Sequence, residues 1–169
     1  MSVKIIIMIK VAILTLSDKG SKGERDDASG PAIEKIIQKI DASVVSYEVI
    51  PDDKGRIKRK LISLSKKSDL ILTTGGTGVS PRDVTPDATR EVIDYEIPGI
   101  AEAMRMKGLK KTAFAMISRA VAGVRGKTLI INLPGSPKAV KENLSVILPI
   151  LPHTIEKLHG STEDCAGCK

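Results

Sequence analysis

Glycine at positions 75, 76 and 78, within GGTGVSPRDVTPDAT over 75–89, lets backbone N–H groups approach a phosphate closely. Thr77 and Ser80 add hydroxyl donors, and Arg82 lies close by to neutralise charge. Thr85 is expected to cap a helix starting at Pro86, whose N-terminus is a further anion site. A tight strand-to-helix turn explains one or two of these glycines; it does not explain three beside Arg82-Asp83. Acidic residues next to phosphate-binding glycines point to hydrated Mg²⁺, which takes one or two carboxylates plus phosphate oxygens. Asp83 in the loop and Asp52 or Asp53 in the Pro51-Asp52-Asp53 turn are the candidates to share a metal. For Asp52 and Asp53, a turn-forming pair before a helix weighs equally. Asp87 is better explained by the helix macrodipole.

Generic nucleotide fingerprints fail. After Gly76-Thr77-Gly78, the third glycine of G-x-G-x-x-G would be position 81, which is proline. Gly126-Lys127-Thr128 imitates the end of a P-loop, but Val121 stands where its first glycine belongs. His153 and His159 have no partners at ligand spacing and read as surface or packing residues. Lys54–Lys67 reads as a solvated helix face, with an RNA footprint the lesser alternative. Cys165-Ala166-Gly167-Cys168 is half a zinc site on a tail expected to be disordered from Ser161 on, and it reads as idle.

The flanking periodicity explains how such loops are positioned. Ile5–Thr15 reads as a buried strand running into a long polar loop, 17–30; Ile33, Ile36, Ile37 and Ile40 then repeat as one helix face. Val45, Tyr47 and Val49 alternate as a strand, Ile57, Leu61 and Leu64 mark a helix, and Asp69–Thr74 is a fully buried strand. Helices follow Pro86 and Pro98; Thr112–Val124 is ambiguous between strand and coil; Lys127–Leu133 is another buried strand, followed by helices carrying Val140, Leu144 and Ile147, then Leu151, Ile155 and Leu158. This alternation predicts an α/β fold, a mostly parallel sheet with right-handed crossovers. The loops at 17–30, 75–87 and 134–136 then emerge together at the carboxyl edge, where open α/β sheets bind ligands.

Composition limits the alternatives. At 169 residues, one domain over 1–160 is expected, which excludes a tandem enzyme. Lys plus Arg number 27 against 20 Asp plus Glu, a net +7 that favours an anionic partner. Tyr47, Tyr95 and Phe114 are the only aromatics, so base stacking lacks its parts and no nucleic-acid partner is expected. One Gln and two Asn amid many Ile, Lys and Glu fit a heat-adapted chain. Two cysteines at the extreme end fit a reducing cytoplasm, and Lys10 interrupts an apolar N-terminal run too short to span a bilayer, so no membrane partner is expected.

Together, LTLSDKGSKGERDDASGP, TTGGTGVSPRDVTPDAT, PGIAEAMR, ISRAVAGVRG and LPGSPKAV resemble the MogA/MoaB family of molybdenum cofactor biosynthesis, with coverage from about Lys10 to Leu158. The resemblance implies a three-layer α/β molybdopterin-binding fold, usually a homotrimer and sometimes a hexamer, with other cofactor-assembly proteins as further partners. The implied activity is adenylylation of molybdopterin by Mg-ATP with release of pyrophosphate. The family's functional aspartates fall on Asp52 and Asp83. Its phosphate and pterin loop falls on Gly75, Gly76, Thr77 and Gly78, completed by Ser118, Arg119, Pro134, Gly135 and Ser136. Ser17, Asp18 and Asp27 match the part that closes over the ligand. A MoaB-type protein that binds molybdopterin with little adenylylation is the rival reading, with a gephyrin-like scaffold and RNA binding behind it.

Overall fold

A computed structural model describes residues 8–162, which fold around one six-stranded sheet. The strands are β1 (Ile9–Leu16), β2 (Ala42–Ile50), β3 (Leu70–Thr74), β4 (Tyr95–Glu96), β5 (Ala122–Arg125) and β6 (Thr128–Leu133). Their order is β2-β1-β3-β6-β5-β4. The first four pair in parallel, and β5 and β4 extend the sheet antiparallel. The fold is therefore the expected α/β architecture with a mostly parallel sheet.

The central strands are largely apolar and almost wholly buried because both faces are covered. Alternate side chains supply two cores. Val11, Ile13, Leu70, Leu72, Leu129 and Ile131 pack against α2 (Ser29–Ile37), α5 (Pro98–Leu109), α6 (Pro137–Ile147) and α7 (Leu151–Leu158). Ala12, Leu14, Ile71 and Ile130 face the other way, onto α3 (Lys54–Leu64) and α4 (Thr85–Arg90). The period-2 pattern thus produces three layers.

Four local readings are corrected. The 17–30 segment is not all loop: Ser17 accepts the Gly20 N–H and opens the one-turn helix α1 (Asp18–Ser21). Thr85 does not cap α4 but is its first residue, and its hydroxyl donates back to the Gly75 carbonyl. Thr112–Val124 resolves into a 3-10 turn (Ala113–Ile117) and then β5, whose antiparallel register sequence alternation alone did not show. The first strand begins at Ile9; Ile5–Ile7 lie outside the described residues, as do Cys165 and Cys168.

One buried polar group ties the central strands to the layer beneath the glycine loop. Asn132 on β6 is fully buried; its amide donates to the hydroxyls of Thr73 on β3 and Thr89 on α4, and its oxygen accepts the Val121 N–H. Removing its side chain leaves the buried Val121 N–H without its partner and breaks the link between Thr73 and Thr89, whose hydroxyl keeps its bond to the Thr85 carbonyl. Asn132→Ala is expected to lower unfolding free energy by about 2–3 kcal/mol in urea denaturation; an unchanged midpoint would show that the network contributes nothing.

Candidate active site

The crevice between β1 and β3 is where strand order reverses, since β2 lies to one side of β1 and β3, β6 and β5 to the other. Leu16, Thr74 and Leu133 end their strands here and release the three loops the sequence singled out. Gly75 lies at the crossing with φ 101°, and a Cβ there would collide with the Leu16 carbonyl oxygen. Gly135 passes directly against it. Gly76, at φ 63°, is equally constrained, because a Cβ would strike the Thr85 hydroxyl. Both positions require glycine for conformation and space alike.

These turns leave the loop backbone presented outward. The N–H of Gly75 donates to Leu133, but among the described residues no internal bond engages the N–H groups of Gly76, Thr77 or Gly78. Adjacent to them, Ser136 caps α6 by accepting the Ala139 N–H, so the positive end of an 11-residue helix opens beside Gly75. The result is an anion cradle made of backbone.

Carboxylates border it. Asp52 and Asp18 bond reciprocally, each backbone N–H donating to the other's side chain at 3.1 Å. Asp52 Oδ1 lies 3.0 Å from where a Gly76 Cβ would stand. Asp83 Oδ2 accepts the Ser80 N–H at 2.9 Å and would lie 2.8 Å from a Cβ on Gly78. Arg82 reaches from the same loop to Asp18, its Nε at 3.0 Å and Nη2 at 2.5 Å from Oδ2. The bond from Arg82 holds the Asp18 carboxyl below the usual carboxylate range. Asp52 is pushed the other way, first by burial and then by the charges of Asp18 and Asp83, against the pull of the Asp18 N–H and Arg82. Asp53 takes the structural role weighed for this pair, capping α3 through the Arg56 N–H at 2.7 Å, which leaves Asp52 to the crevice.

The remaining residues divide between two cavities on either side of the glycine loop. One, of about 310 Å³, is lined by Ser17, Asp27, Gly75, Gly135 and Ser136, with Arg25 and Asp26 at its mouth. Asp27 is a strut in its wall: Oδ2 accepts the hydroxyls of Thr15 and Tyr47 and the Gly30 N–H, and Oδ1 accepts the Ser29 N–H. Burial pushes the Asp27 carboxyl up, but these four bonds outweigh it and hold it below its ordinary range. The second cavity, of about 270 Å³, is more apolar and is lined by Thr77, Gly78, Ser118 and Pro134 with Met104, Phe114 and Asn143.

Arg119 is engaged within the protein. Its guanidinium pairs with Asp87 at 2.6 Å and donates to the Asp83 carbonyl at 3.1 Å, while its N–H bonds Thr77 at 2.8 Å. It braces the loop, and Asp87 serves as its partner. Arg105 holds the same segment from α5, donating to the carbonyls of Ser118 and Ala120. Sequence reasoning missed Arg105, Tyr47 and Thr15. Tyr47 lay in view as one of three aromatics, but its pairing with Asp27 crosses from β2 to the first loop.

The chain matches the family model described as "Probable molybdopterin binding domain" over residues 12–153. It belongs to that family. The molybdopterin adenylyltransferase of Helicobacter pylori (strain J99) is 40% identical over 157 residues, covering 90% of this chain and 89% of that protein. Among solved structures, the molybdopterin biosynthesis enzyme MoaB of Thermus thermophilus superposes with a TM-score of 0.86 at 51% identity, covering 91% of this chain and 98% of that one. The tungsten cofactor synthesizing protein MoaB of Pyrococcus furiosus gives 0.82 at 34% identity, covering 89% and 97%. The lowered Asp27 carboxyl contributes stability that is present at neutral pH and lost as pH falls through its folded range, below about 3.9. Asp27→Asn is therefore expected to be less stable than wild type at pH 7, with the gap closing below about pH 4; a gap independent of pH in thermal melts would remove the charge from this role.

Proposed function

We propose that this protein is a molybdopterin adenylyltransferase, transferring AMP from Mg-ATP to the terminal phosphate of molybdopterin with release of pyrophosphate. The observation that carries this reading is the placement of Asp52 and Asp83 beside one anion cradle, whose N–H groups at Gly76, Thr77 and Gly78 have no internal partner among the described residues. Relatives bearing the adenylyltransferase name at 40% identity support it.

In this reaction a phosphate oxygen of molybdopterin attacks the α-phosphorus of ATP, the new P–O bond forms, and the bond to the bridging oxygen breaks as pyrophosphate departs. The nucleophile belongs to the substrate, so no serine, cysteine or histidine has to react covalently. The protein must hold two polyanions in line and offset their repulsion. Backbone N–H groups at 76–78 and the start of α6 do this without moving, because Gly75 and Gly76 fix the loop and Arg119 braces it from behind. Thr77 and Ser80 border the same loop as further donors, and the two adjoining cavities take the two substrates.

The donor set suits Mg²⁺ carried by a triphosphate. Among the described residues no three acidic, histidine or cysteine side chains form a metal cage. Asp83 and Asp52, whose pKa is pushed up first by burial and then by the charges of Asp18 and Asp83, are the ligands expected to hold it, with phosphate oxygens completing the shell. When bound, the ion supplies charge neutralisation at the transferring phosphates. The Arg82–Asp18 pair spans from the glycine loop to α1, and Arg82 is placed to exchange Asp18 for a phosphate.

An exposed apolar surface of Met106, Leu109, Phe114, Met116 and Ile117 supports assembly as a homotrimer or hexamer. Among the described residues no helix is long and apolar enough to cross a membrane, and a cytoplasmic protein without nucleic-acid partners remains our reading. The 51%-identical structure carries the MoaB name and not the adenylyltransferase name, which keeps a MoaB-type molybdopterin-binding protein with little or no adenylylation as the second reading.

Purified protein with molybdopterin, ATP and Mg²⁺ separates the two. Wild type is expected to release pyrophosphate; Asp52→Ala and Asp83→Ala should lose roughly 10²- to 10³-fold in kcat while molybdopterin affinity changes by less than about threefold. Asp83→Ala turning over like Lys39→Ala, an exposed change on another face, would sink the aspartate assignment.

A further inference from the structure

The lysine-rich segment around α3 sorts into two groups. Lys54 and Lys58 both pair with Glu91, and Lys60 pairs with Glu48, so this half is committed to ion pairs. Lys66 and Lys67, just past the end of α3, instead join Lys10 from β1 and Lys127 from the β5–β6 turn around one cleft of about 190 Å³. All four are exposed, and no ion pair within 4.0 Å engages them among the described residues; Lys67 acts at longer range on Glu48, which Lys60 already holds.

The cleft contains one acid, Asp69. Asp69 Oδ2 accepts the Lys10 N–H at 2.8 Å, and Oδ1 lies 3.1 Å from His159 Nε2. The hydroxyls in the wall also point inward: Ser65, Ser68 and Thr128 all donate to backbone carbonyls. The cleft gathers four lysines from three separate segments around one carboxylate, an excess of positive charge that a bound anion would offset. It lies at the amino edge of the parallel strands, where β1, β3 and β6 begin, opposite Asp52 and Asp83.

We infer that this cleft is a second anion site, which takes a small, multiply charged phosphate species through its lysine amines. Point charges without directional donors recognise charge density more than shape, so binding there is strongly salt-dependent. The absence of Trp and the three aromatics lying elsewhere leave no base-stacking surface, so the phosphate chain itself is the recognised group.

The test is calorimetric titration of full-length protein with inorganic tripolyphosphate and, separately, with ATP, comparing wild type with the Lys66→Gln, Lys67→Gln, Lys127→Gln triple variant. Wild type is expected to show a class of sites that weakens at least about tenfold in the variant and between about 50 and 200 mM salt. Pyrophosphate release from ATP and molybdopterin should stay at the wild-type rate, which keeps this site separable from the catalytic edge. Equal binding of tripolyphosphate and ATP identifies any polyphosphate tail as the ligand, and binding of tripolyphosphate alone identifies the inorganic chain. Identical stoichiometry and affinity in wild type and variant would overturn the inference. If the triple variant melts early, Lys127→Gln alone, in an exposed turn, gives the same comparison.

Discussion

Everything at the carboxyl edge depends on one close approach: the backbone at Gly75 crosses so near the Leu16 carbonyl that no side chain fits between them. That contact draws the ends of β1 and β3 together at the point where strand order reverses, and Gly135 after β6 closes on the same spot. The left-handed conformations at Gly75 and Gly76 then turn the following N–H groups outward. Three loops far apart in sequence become one cradle because three parallel strands end in step. The chemistry inherits its precision from the sheet, which is rigid because both its faces are buried.

Electrostatics decides how the cradle is used. Asp18, Asp52 and Asp83 bring negative charge to a place built for anions, and burial together with its neighbours raises the Asp52 pKa. On the proposed function, this crowding of carboxylates is what a cation-bearing phosphate would relieve. The fold compensates elsewhere, with Arg82 on Asp18, Arg119 on Asp87 and four donors on Asp27. Arg119 and Arg105 thus fix backbone, while the carboxylates of Asp52 and Asp83, the proposed metal ligands, carry no ion pair among the described residues.

Much of this was legible in the residues. Buried strands announced themselves as runs such as Asp69–Thr74, and glycine spacing located the loop between β3 and α4. The α2 and α3 faces followed from their isoleucine and leucine periods. What periodicity does not encode is long-range pairing. The antiparallel β5 reads like coil because it has four residues and an alanine-glycine start. Thr85 reads as a cap because its type is right, and only the fold shows its hydroxyl returning to Gly75. The pairing of Arg119 with Asp87, from another element, is also invisible in residue spacing. The excess positive charge likewise divides only in three dimensions, into paired helix faces and the cleft at the opposite edge.

The assignment of the reaction to the β1–β3 crevice is tested most directly by a crystal structure of the protein with molybdopterin and a non-hydrolysable Mg-ATP analogue. Phosphate density within hydrogen-bond distance of the Gly76, Thr77 and Gly78 N–H groups, with the metal between Asp52 and Asp83, is the expected result. Phosphates bound away from that loop, or a metal that engages neither aspartate, would contradict it.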